Sequence, residues 1–82
     1  MDELIVGDLQ EGGNGAYVTQ TWYRHQTGPA GLRVVFKQDC ITGIASVSLV
    51  TGDEDEISVV ETVENLTVDT ARVEIERLIE QL

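Results

Sequence analysis

The spacing of apolar residues changes period once along this chain, and that change limits the fold more than any other feature. From residue 16 to 64 the apolar positions favour period two, the mark of strands with one buried face. Leu32, Val34 and Phe36 alternate there with Arg33, Val35 and Lys37. From residue 68 onward, Val68, Ala71, Ile75, Leu78, Ile79 and Leu82 fall instead at helical spacing and gather into one stripe. A terminal helix of this kind must bury its stripe against the sheet formed by the preceding strands.

Turn chemistry divides the strand region. Strands are expected at about 3–10, 16–26, 31–37, 41–50 and 56–63, with a helix at about 68–81. Thr27-Gly28-Pro29-Ala30-Gly31 separates the second strand from the third, and Asn14-Gly15 suits a turn with positive φ. Gly7 marks a candidate bulge in the first strand. Ile57, Val59 and Val63 are assigned to one face of the last strand, and Asn65 to its end. Thr67 is a suitable N-cap, and Asp69 favours the positive end of the helix dipole. The expected class is α+β: an antiparallel meander of four to five strands with one C-terminal helix packed on one face. A small curled β-barrel with a terminal helix is the alternative.

The length of 82 residues allows one domain, since a chain this short buries only roughly 60% of its unfolded surface. Clustered Val, Ile and Leu within 41% hydrophobic residues offset the ordering entropy, so the chain is read as folded. A single Cys40 can form neither an internal disulfide nor a Cys-rich zinc site, which points to a reducing compartment. The acidic start and the short apolar run Leu4-Ile5-Val6 match neither a signal-peptide core nor a membrane span. The expectation is a soluble, cytoplasmic protein that does not bind membrane.

Charge is the second constraint. Fifteen acids against five bases give a net charge of -10, which disfavours direct contact with a nucleic-acid backbone. Residues 51–82 hold ten of those acids and two bases, for -8. The stretch from Gly12 to Gln38 has no acid and carries Arg24, Arg33 and Lys37. Such segregation predicts a dipolar molecule with an acidic C-terminal end and a small basic hairpin.

The residues with chemical potential were weighed against simpler roles. Cys40, His25 and Asp39 are the types of a thiol nucleophile, base and orienter, yet no family signature surrounds them, so no enzyme is expected. Asp53-Glu54-Asp55-Glu56 departs from a calcium loop, with Ile57 where an oxygen ligand belongs and Ser58 where a Gly belongs. Gly12-Gly13-Asn14-Gly15 lacks the Lys and helix of a phosphate loop. Asn65-Leu66-Thr67 fits the glycosylation pattern but follows no secretory signal. No cofactor or metal is expected.

Two features point to a protein partner. Trp22 and Val18 alternate with Tyr17 and Tyr23, so aromatic area remains outside the core whichever face is buried; with Arg24 these are residue types enriched at strong contacts. Asp53, Glu54, Asp55, Glu56, Glu61, Glu64, Glu76 and Glu80 could present carboxylates in the manner of a phosphate array. The functional expectation is a small non-catalytic binding module for a protein with a basic surface. Its sharpest form is an inhibitor that mimics nucleic-acid charge, as small acidic virus-encoded inhibitors of defence enzymes do. The alternative is a self-assembling homo-oligomer whose acidity serves solubility or a high-salt cytoplasm.

Overall fold

The computed structural model describes residues 3–53 and 55–82 and shows an open antiparallel sheet of six strands with one helix packed against it. The strands are β1 (Leu4–Val6), β2 (Gln10–Gly12), β3 (Tyr17–Arg24), β4 (Arg33–Asp39), β5 (Ala45–Thr51) and β6 (Ser58–Leu66), and the helix is α1 (Val68–Ile79). β1 and β2 both pair with β3, and the meander continues through β4 and β5 to β6 at the far edge. The α+β class therefore holds. The sheet does not close into the alternative barrel, and it contains six strands because the expected first strand is two.

That split has a local cause. After Val6 the chain leaves the ladder, with the Gly7 amide donating to the Thr21 carbonyl at 2.8 Å, and pairing resumes at Gln10. β2 then runs through Glu11 and Gly12, expected to be turn, because Gly12 lies under the Tyr17 ring where a Cβ would collide. β5 starts later than expected. The Asp39 carboxylate accepts from the amides of Ile41 at 2.8 Å and Thr42 at 3.0 Å, folding residues 40–44 into a turn that the strand pattern does not disclose.

β6 departs most from simple alternation. Leu49 pairs with Glu61 and Val50 with Val59, so Val60 is an extra residue. Ala45 pairs with Leu66 and Val47 with Val63, so β6 carries another extra residue there, beside Asn65 at φ 58°. The first bulge separates Val59, on the face of Val50, from Val63, on the opposite face with Val47; the expected common face for these two is corrected accordingly. Both bulges lie on an edge strand, where interrupted pairing discourages addition of a further strand. The opposite edge is broken between β1 and β2. Neither edge offers a long regular ladder.

α1 forms as its stripe predicts. Thr67 is the N-cap, and it closes a reciprocal capping box in which Thr70 rather than Glu or Gln bonds back to the cap. Ala71 and Leu78 are fully buried and meet Val34 and Phe36 of β4 with Ala45, Val47 and Leu49 of β5. Each fully buried Val or Leu in such a core contributes about 1.5–3 kcal/mol. Trp22 and Val18 pack at the margin of this cluster, while Tyr17, Tyr23, Arg33 and Lys37 lie on the uncovered side. No described helix is long and apolar enough to cross a membrane.

Candidate functional site

The aromatic candidates separate across the sheet. Register pairs Trp22 with Val34 on the helix side and places Tyr17 opposite Asp39 and Tyr23 opposite Arg33 on the other. Tyr17 is not a bare stacking platform, since its ring rests on Gly12 and the Lys37 ammonium sits 4.3 Å from the ring centroid. Arg24 closes β3 opposite Leu4, on the same side as Trp22. One patch therefore cannot use Trp22 and both tyrosines together.

The carboxylates fall into distinct environments. Glu61 pairs with Leu49 on the helix side, where its carboxylate meets Arg77 of α1. The Arg77 Nε also donates to Glu74 at 2.7 Å, and these two acids push the guanidinium above its ordinary pKa. Glu61 is thus already neutralised by the protein's own cation. Asp53 turns inward on its own loop, its carboxylate accepting from the Asp55 and Glu56 amides, both at 3.1 Å. Asp55 and Glu56 are exposed beside it, while Glu54 lies outside the described residues. Glu64 is exposed on β6, and Glu76 and Glu80 are exposed at the helix.

The expected separation into two charged ends does not survive folding intact. The Gly52 amide donates to Ala30 at 3.1 Å, and Arg33 Nη1 donates to the carbonyls of Gly31 at 3.1 Å and Gly52 at 2.7 Å. These bonds bring the acidic β5–β6 turn against the tip of the basic β3–β4 hairpin. Sequence order alone gives no sign of that contact.

The residues considered for thiol catalysis do not assemble. The Cys40 amide bonds to Ala16 at one end of β3, whereas His25 follows the other end. Nine residues of strand separate positions 16 and 25, roughly 30 Å at ~3.3 Å per residue. The Asp39 carboxylate is occupied by the Ile41 and Thr42 amides, which hold its pKa below the usual value.

One concavity was not foreseen. Between β3 and α1 lies a groove of about 500 Å³ whose apolar lining includes Val18, Trp22, Phe36, Ile75 and Ile79. It exists because α1 packs over β4, β5 and β6 and leaves the helix-side row of β3 beside it uncovered. Helical periodicity reveals which stripe is buried but not where along the sheet it settles. No family model, curated protein or solved structure matches the chain.

Proposed function

We propose that this chain is a non-catalytic binding module that engages a basic surface on another protein through its C-terminal carboxylates. The observation that carries this proposal is the pairing of those acids. Of the nine described acids between residues 51 and 82, only Glu61 and Glu74 are in ion pairs, and both use Arg77. The other carboxylates repel one another without a cation to compensate them, so a partner's Lys and Arg would relieve a cost already present in the free protein. In its sharpest form the partner's surface is one that otherwise holds nucleic acid.

The test is capture of partners from the native host on the immobilised protein, eluted with rising salt or with duplex DNA. Release should occur steeply between ~0.1 and ~1 M salt, as the screening length falls from about 10 to about 3 Å. DNA should compete. A complex indifferent to salt would remove the electrostatic basis, and one indifferent to DNA and RNA would remove mimicry alone.

A further inference from the structure

We propose that the groove between β3 and α1 is a docking site for one amphipathic α-helix of a partner protein, with an apolar stripe flanked by Lys or Arg. This deepens the function proposed above and rests on it for the basic character of the partner.

The groove's dimensions favour a helix. An α-helix is about 10 Å across, and packed helices sit about 8–10 Å apart, so α1 cannot cover a sheet whose strands repeat every ~4.8 Å from edge to edge. The uncovered row at β3 lies beside α1, as the seat of a second, parallel-lying helix would. Val68, Ile75 and Ile79 along α1 border it. From 68 to 79 the helix rises about 16 Å, or three turns, which matches the reach of an i, i+3/i+4, i+7 stripe. Leu9 forms part of the facing wall and is 62% exposed, while Val68 is 44% exposed. Both are apolar side chains with little to cover them.

The rims set the charge of the occupant. Glu76 borders the groove from α1, and Glu11 stands on the same side of the sheet, opposite Val18 on β2. Neither has an ion-pair partner among the described residues. Arg72 also lines the groove, and it is the one cation there. Against a chain of net charge -10, flanking Lys or Arg on the docked helix complements both rims.

The probe is a synthetic peptide of about 18 residues made of Leu and Lys, with Leu at helical spacing, compared with a scrambled isomer of identical charge. Amide chemical shifts of the full chain, together with Trp22 fluorescence, report where each peptide binds. The patterned peptide should shift Val18, Trp22, Ile75 and Ile79 and move the Trp22 emission, with affinity about tenfold above the scrambled isomer. Leu9→Gln with Val68→Gln, at exposed positions, should weaken the patterned peptide about tenfold while leaving the unfolding temperature within a few degrees. Equal binding of the two peptides, or shifts confined to the carboxylates with Trp22 silent, would overturn the groove while leaving the charge-based module standing. If neither peptide binds, both proposals fall.

Discussion

A pair of glycine substitutions isolates how firmly the acidic turn is built into the fold. Gly52 and Gly28 both have positive φ, 98° and 73°, so Ala at either position incurs backbone strain of about 1–2 kcal/mol. Their surroundings differ. A Cβ at Gly28 meets open space, whereas at Gly52 it would collide with the Glu56 backbone carbonyl, which no side-chain rotation can relieve. Opening the turn then sacrifices the Gly52–Ala30 hydrogen bond and the Arg33–Gly52 hydrogen bond, at about 1 kcal/mol each for partly exposed groups. Gly52→Ala should therefore cost about 3–4 kcal/mol and Gly28→Ala about 1–2. For 82 residues the unfolding entropy is about 170 cal/mol/K, so the two variants should melt about 10 °C apart, with Gly52→Ala the lower. Thermal unfolding followed by circular dichroism measures this directly. Melting temperatures within about 3 °C of each other would show that the turn yields without loss, and the bonds to Ala30 and Arg33 would then have no energetic weight.

Other outcomes follow from the core, the Asp39 turn and the edge strand. Leu78→Ala, at a fully buried position, should cost about 2–5 kcal/mol in denaturant unfolding, whereas Val73→Ala, 63% exposed, should stay within about 0.5 kcal/mol. Reversal of that order would mean α1 packs through a different face. Because the Asp39 carboxyl titrates below its ordinary 3.8 in the folded protein, its stabilisation is complete above the unfolded pKa and is lost as pH falls through the lower folded value. The stability gap between wild type and Asp39→Asn should accordingly close in acid; a gap unchanged there would exclude the carboxylate charge as its source. Deleting Val60 removes one bulge while keeping Val59 opposite Val50 and Glu61 opposite Leu49. Sedimentation should then show more self-association than in wild type, and identical profiles would deny the bulge its protective role.

How much of this was legible depended on whether a signal was local. The β3–β4 hairpin and the helix follow from residues that reveal their faces by spacing, and Thr67 announces its cap by type. Trp22 and the tyrosines were correctly divided between faces for the same reason. The bulges at Val60 and beside Asn65 were invisible because an extra residue is defined only against a partner strand, here β5. The turn after Asp39 was missed because Ile41 and Ile44 look like strand residues, although the carboxylate had already claimed the amides that a ladder would need. Among the candidate site residues, Glu61 could not be recognised as internally paired, since Arg77 is sixteen residues away in sequence and reaches it only through the packing of α1. The groove was hidden likewise, being a consequence of the lateral position of one helix on a wide sheet.

The two bonds donated by Arg33 make the acidic turn mechanically continuous with the hairpin tip. A flexible loop of carboxylates would surrender conformational entropy when gripped, whereas this one arrives already ordered, so more of each new contact is expressed as affinity. The same linkage makes the turn a lever. A partner that pulls on Asp55 or Glu56 loads Gly31 and Gly52 together, and slowed hydrogen exchange at both amides on binding would be the signature of a clamp closing from one side and felt on the other.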